Sequence, residues 1–351
     1  MNRTCIIAAT AALTLTAAGL LFAGPLNPPA GPVTSTYKTL QEVEPRTAIN
    51  VTNTPGDADS LFKITQRGSY YLTGNITGVA GRHGIEIVAS GVTLDLSGFE
   101  LAGIPNMGSF DGVNVSLINL KAIAVKNGTV RGWGGRGIDL NSTSGSSIRS
   151  IHARANVSTG IDVGGSGSVV TDCSSNENLV GFSIGISSTI IGCTANANTT
   201  SGFITSFGAT IINCTAYSND GDGFSLAIGS SIIDSVARAN SLNGIRLSTQ
   251  CVARGNVCTL NTLSGILANG TSARIEGNHC AANGTGIRVS TSNCFIVRNT
   301  CSENTTNNWN IDLGNHYGPI IDRTAVNPPS VIGNSAPDSL GSTHPNANFT
   351  L

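Results

Sequence analysis

A glycine, an apolar residue, a variable one and a second apolar one return along this chain as GIEIV, GVNVS, GIDLN, GIDVG, GFSIG, GFITS, GFSLA, GIRLS, GILAN and GIRVS. The opening glycines are Gly84, Gly112, Gly137, Gly160, Gly181, Gly202, Gly223, Gly244, Gly265 and Gly286. The intervals shorten from 28 to 25 to 23 residues and then hold at 21 for the remaining six. A degenerate copy, NIDLG, follows at Asn310. An interval this constant defines a solenoid, in which each repeat buries its apolar face only against its neighbours.

The apolar periodicity selects the kind of solenoid. Each repeat alternates apolar and polar residues in three short pieces, with no leucine-rich frame and no 3.6-residue pattern. The first piece carries pairs such as Ile161 and Val163 or Phe224 and Leu226. The second carries Ile148, Val170, Ile190, Ile211, Ile232, Ile275 and Ile296. The third carries small or thiol side chains at Ala195, Ala216, Ala237, Cys258, Cys280 and Cys301. Composition agrees. Glycine is abundant, and charged residues are 11% of the chain, against roughly 25% in ordinary globular proteins, too few to solvate many helices. The expectation is an all-β parallel β-helix of about 10 rungs of ~21 residues, with three short parallel sheets. Rungs stacked at about 4.8 Å would span on the order of 50 Å.

Asparagine recurs once per repeat before the next glycine, at Asn156, Asn178, Asn198, Asn219, Asn240, Asn261, Asn283 and Asn304. A second column five residues earlier reads Cys173, Cys193, Cys214, Ser235, Asn256, Asn278 and Asn299. Asparagine tolerates left-handed backbone angles, so these residues are expected at the bends, where stacked copies can also bond one another. Cys251 and Cys294 are placed at an inward position of the second strand. In-register strands keep the thiols parallel, so the reading favours free, buried cysteines over disulfides.

The ends of the chain are different. Residues 1–23, with Arg3 before an apolar run ending in small residues, have the pattern of a secretory signal peptide, and no later stretch is apolar and long enough to span a membrane. Residues 24–51 read as an extended lead-in, 52–83 as an N-terminal cap, 84–313 as the repeats and 314–351 as a C-terminal cap and tail. The chain is therefore expected to be secreted, cell-surface or periplasmic. Its four lysines and scattered arginines, at a net charge of −1, form no basic tract for nucleic acid.

The repeat in GILANGTSARIEGNHCAANGTGI and GIRVSTSNCFIVRNTCSENT resembles that of the right-handed parallel β-helix proteins of the pectate-lyase-like superfamily. The resemblance runs from Gly84 to Leu313, and PGDADSLFKITQRGSYYLTGNI resembles the N-terminal cap of secreted bacterial proteins with this repeat. It implies a right-handed helix and, in catalytic relatives, sugar bound along a groove on one sheet. There the chemistry uses a calcium-binding carboxylate cluster with an Arg or Lys base, or paired aspartates for hydrolysis. The NTD, DD, GHG and RIK signatures of the polygalacturonase-like hydrolases are absent from this sequence.

Reading the outward position of the first strand down the repeats gives Asp139, Asp162, Ser183, Ile204, Ser225, Arg246, Leu267, Arg288 and Asp312. Asp139 and Asp162 become stacked neighbours able to share a calcium ion or to contact substrate, and Arg246 or Arg288 the candidate base or carboxylate binder. Trp133, in RGWGGRG, is a candidate to stack on a sugar ring or to cover one end of the repeats. Asp220 and Asp222 flank Gly221 in what reads as a plain Asp-Gly turn, and the five histidines share no metal-binding spacing. The functional expectation is an extracellular binding or structural module for a polysaccharide or other cell-surface component. The alternative is a calcium-dependent polysaccharide lyase or epimerase acting on acidic polysaccharide.

Overall fold

A computed structural model of the protein describes residues 44–322, 324 and 343–351. The expected signal segment, most of the lead-in and residues 325–342 of the expected tail lie outside the described residues. Among those described there is no helix, and all strands belong to the unit Arg46–Leu351. No helix there is long and apolar enough to cross a membrane.

The chain winds as a parallel β-helix. Its first face is a ladder of twelve strands, from Ser60–Ile64 and His83–Ile87 through Ile245–Leu247 to Asn307–Ile311; rungs are numbered here by these strands. The stack begins upstream of Gly84, where the sequence suggests a cap. Ser60–Ile64 already pairs in parallel with His83–Ile87, and Gly68–Tyr71 with Val92–Asp95. At the other end His316–Tyr317 pairs with Phe295–Val297, and Asn348–Thr350 with Thr300–Ser302. The expected three sheets appear as three strand positions per rung, but the second and third merge into one 24-stranded sheet. They merge because Ala124–Arg131 and Ser147–Arg154 run unbroken through the corner between them, bending only at the left-handed Asn127 and Ser150.

The interior is built of like on like. Phe182, Phe203 and Phe224 stack with ring centroids 4.8 and 4.7 Å apart and nearly parallel planes. Beside them run the fully buried Ile190, Ile211 and Ile232, and the small Ala195, Ala216 and Ala237. Alternation within three-residue strands thus fixes which side chains enter the core.

The corners show what the asparagines do. The left-handed residue is the one before each of them: Ala155, Glu177, Ala197, Ser218, Ala239, Leu260, Ala282 and Glu303. The asparagines do not take the turn conformation themselves. Their buried backbone N–H groups instead take acceptors from side chains, as buried donors must. Asn198 N–H and Nδ2 both donate to Asn219 Oδ1, and Asn219 does the same to Asn240. The second column works identically with mixed acceptors: Cys173 N–H to Cys193 Sγ, Cys193 to Cys214, Cys214 to Ser235 Oγ, and Ser235 to Asn256 Oδ1. It runs on through Asn278 and Asn299 to Asn348. All eight described cysteines are free and buried. Cys251 and Cys294 sit at the third corner, directly after the left-handed Gln250 and Asn293, rather than inside the second strand. The rung-opening glycine is required by space. A Cβ on Gly223, whose φ is not positive, would lie 2.7 Å from both Asn240 Nδ2 and the Gly244 carbonyl oxygen.

Candidate functional site

Chemistry concentrates on the first face of rungs 1–5. Strand register places Lys63, Glu86, Asn114, Asp139, Asp162 and Ser183 in one outward column. Asp139 and Asp162 are therefore stacked neighbours, as their spacing predicts. At the far end Arg288 pairs with Asn310, so Asp312 falls outside the column. Outward residues on a flat sheet are normally exposed, yet Glu86, Asp139 and Asp162 are more than nine-tenths buried. The first four of these rungs are longer than 21 residues, and the added segments stand beside the column. The segment 103–110 is anchored by buried Met107 and by Phe110, which packs edge-on against His83. The segment 116–121 contributes the Ser116 hydroxyl, a short hydrogen bond to Glu86.

Arg136 organises the centre. Its Nη1 donates to Asp139 Oδ2 at 2.7 Å, and its Nε lies 3.0 Å from Asp162 Oδ2, an ion pair without hydrogen-bond geometry. The other oxygen of each carboxylate accepts the backbone N–H two residues on, from Asn141 and Gly164. The two stacked carboxylates that the sequence offers to calcium thus share a guanidinium from their own chain. Among the described residues no three His, Cys, Asp or Glu side chains are placed to hold a metal ion. Burial, and then the Asp139 charge, raise the pKa of Asp162 despite Arg136.

Asp111, directly before Gly112, completes the cluster. Its Oδ1 accepts the Arg136 backbone N–H at 2.6 Å, and its own N–H donates to His83 Nδ1 at 2.9 Å. Burial pushes the Asp111 carboxyl up to about 6, helped by Asp139 and Asp162 and opposed by Arg136 and its N–H. Burial lowers the pKa of His83, and Nδ1 is already an acceptor, so the imidazole is neutral with its proton on Nε2. Toward rung 1, Lys63 Nζ bridges Glu86 and Asp57 at 2.8 and 2.7 Å. Burial opposes ionisation of Glu86, but Lys63 and Ser116 hold its pKa below the usual value.

The other sequence candidates fall elsewhere. Trp133 is fully buried, its Nε1 donates to the Leu101 carbonyl, and its ring packs against Gly84 and Gly112. It occupies the corner position of the asparagine ladder one rung before Asn156, donating its N–H to Asn156 Oδ1. Trp133 is a core residue with no face open to a sugar. Arg246 is tied to buried Asp222 at 2.8 Å and to Ser225 Oγ at 2.6 Å, whereas Arg288 is exposed. Asp222 is correspondingly more than a turn residue.

Sequence reasoning passed over Asp111, Arg136, His83, Glu86 and Lys63. Three of them stand immediately before a rung-opening glycine, in HG, DG and RG. Tabulating that position down the repeats would have exposed the column.

The fold defines the class: the chain is a right-handed parallel β-helix protein. The family described as "Right handed beta helix region" matches residues 203–335. No curated protein sequence matches the chain. Among solved structures, the A-module of Azotobacter vinelandii mannuronan C-5 epimerase AlgE4 is similar over 72% of this chain and 90% of that one, at 15% identity and a TM-score of 0.52. The Dettilon tailspike protein gp208 is similar over 74% of this chain and 58% of its own, at 16% identity and a TM-score of 0.50. At such identities the likeness establishes the fold and nothing finer.

Proposed function

We propose that the protein is an exported binding module that holds a polysaccharide free of acidic groups on the first face of rungs 2–5. The observation that carries this is the sunken, outward-facing set of Glu86, Asp111, Asp139 and Asp162, each more than nine-tenths buried between flanking segments. Ionised carboxylates are acceptors only, with about four lone-pair sites each, and sugar hydroxyls are donors that fit the unused ones. Four carboxylates face only two cations here, Lys63 and Arg136. The resulting negative potential repels a uronate chain and weighs against the acidic-polysaccharide alternative. The former candidate bases add little, since an arginine keeps its proton in proteins. Export is supported by the N-terminal sequence, and the structurally similar proteins include an epimerase and a tailspike.

A lyase or epimerase reading keeps one observation in its favour. Asp111 at about 6 and the adjacent neutral His83 are a pair able to move a proton near neutral pH. Calorimetric titration with cello-, manno-, xylo- and malto-oligosaccharides, and with polyuronates, tests the proposal. Neutral sugars are expected to bind and polyuronates not, with Asp162→Asn weakening binding about tenfold through loss of a charged acceptor. Preference for polyuronates, or an unchanged affinity in Asp162→Asn, would overturn it. A rise in ultraviolet absorbance on polyuronates would establish the lyase instead.

A further inference from the structure

A second polar hollow lies on the same face at rungs 7–9, lined among others by Thr200, Asp220, Asp222, Leu242, Asn243 and Arg246. Its floor is fixed by hydrogen bonds. Asp222, more than nine-tenths buried, accepts Asn243 N–H at 3.1 Å and Asn243 Nδ2 at 2.8 Å on one oxygen, and pairs with Arg246 Nε at 2.8 Å through the other. Arg246 Nη2 is held by Ser225 Oγ at 2.6 Å. The guanidinium is thereby locked from behind while its side chain stays 44% exposed in front. Asp220 offers an exposed carboxylate and Leu242, 42% exposed, an apolar wall. A fixed donor fork, a free acceptor and an apolar patch are the three surfaces a pyranose ring presents partners for.

This hollow repeats the wiring of the first site. Asp111 and Asp222 each stand directly before a rung-opening glycine. Each accepts the backbone N–H of the residue at the same position one rung later, Arg136 in one case and Asn243 in the other. An arginine from the following rung lies over each site, Arg136 and Arg246. The four intervening positions are Arg136, Thr159, Val180 and Ser201, so no other aspartate occurs between the two. The sites are five rungs apart, about 24 Å at the spacing of stacked strands. The outward column between Asp162 and Arg246 is uncharged: Ser183, Ile204 and Ser225.

We infer that the Asp222–Arg246 hollow is a second saccharide subsite, and that one extended non-acidic polysaccharide lies along the first face and engages both sites at once. The inference rests on the proposed function of the first site and extends it. The hollow holds two carboxylates against one guanidinium, so it excludes acidic sugars on the same electrostatic ground as the first site. Simultaneous engagement turns the second contact into an intramolecular one and raises affinity for any chain long enough to span the gap.

The test uses the neutral oligosaccharide that binds best in the titrations above, in lengths shorter and longer than five rungs. The full chain, Arg246→Ala and Asp220→Arg are compared, the last filling the hollow with a new charge while leaving the Asp222 pair intact. Long chains are expected to bind the unmodified protein at least about tenfold more tightly than short ones, within the range that linked sites provide. Both variants should bind long and short chains alike, at the unmodified protein's short-chain affinity. Absence of a length advantage in the unmodified protein, or its survival in Asp220→Arg, overturns the second subsite while leaving the first. Absence of any binding, short or long, overturns both.

Discussion

Replacing Asp111 by asparagine should stabilise the protein, and by an amount that depends on pH. The folded state raises the Asp111 carboxyl from 3.8 to about 6. At about 1.36 kcal/mol for each pH unit of displacement, ionised Asp111 costs the native state about 3 kcal/mol. The sign follows from proton linkage. Below the unfolded value both states hold the proton and the cost is absent. As pH rises through the folded value the native state is forced to ionise, and the stability present in acid is lost. The substituted side chain keeps an amide oxygen for the Arg136 N–H and cannot ionise. Urea-unfolding midpoints of the two proteins, compared at intervals from about pH 4 to about pH 8, should therefore coincide at the acid end and diverge upward, with Asp111→Asn the more stable at the alkaline end by about 3 kcal/mol. A difference that does not vary with pH, or an Asp111→Asn protein less stable in alkali, would refute the placement of Asp111 as a carboxyl held against its own ionisation. A side chain kept at such a cost is the pattern of a functional site rather than of scaffold.

Two further outcomes concern the scaffold. Asn219→Ala removes two donated bonds, to Ala195 O and Asn240 Oδ1, and two accepted from Asn198, leaving the buried Asn198 N–H without an acceptor. The expected loss is about 4 kcal/mol in urea unfolding, and a change below about 1 kcal/mol would mean that the ladder is not what holds this corner. The eight described cysteines should resist a thiol-specific reagent until the protein unfolds, because burial pushes the Cys251, Cys258 and Cys294 thiols up and none is exposed. Rapid labelling of the native protein would contradict that arrangement.

The fold was legible because a solenoid writes its geometry as a period. Phe182, Phe203 and Phe224 are 21 residues apart, and stacking them is the one arrangement that buries all three equally. The same logic placed Asp139 beside Asp162. It failed where the period does. Residues 60–82 hold one complete rung, Ser60–Ile64, Gly68–Tyr71 and Ile76–Thr77, but without a 21-residue interval the sequence there reads as a cap. Trp133 looked like a loop residue because GWGG is glycine-rich, whereas its indole lies inside the stack, where Gly78, Gly84 and Gly112 leave it room. Arg136 was overlooked because it lies one position before its glycine, outside the column being read. Its role depends on reaching both Asp139, on its own rung, and Asp162, on the next, a cross-rung contact that single-rung patterning does not express.

The irregular rungs also explain where the chemistry lies. A 21-residue rung has just enough chain for three short strands and three corners, each corner turned by a left-handed residue. Such a rung has no residues left over to raise a wall beside its outward column, and a large apolar side chain there stays open to water, as Ile204 does at 37% exposure. The intervals of 28 and 25 residues after Gly84 and Gly112 supply that surplus. It becomes the segments 103–110 and 116–121, and beside them Glu86, Asp139 and Asp162 are buried though they point outward. The Asp222 hollow was made differently, within regular rungs, by substitution at the residue before glycine. There the hollow is lined by residues of the regular rungs, Leu242 and Arg246 among them. On the proposed reading that difference orders the two sites: the N-terminal site would hold a sugar by itself, and the hollow would add its effect to a chain already held five rungs away.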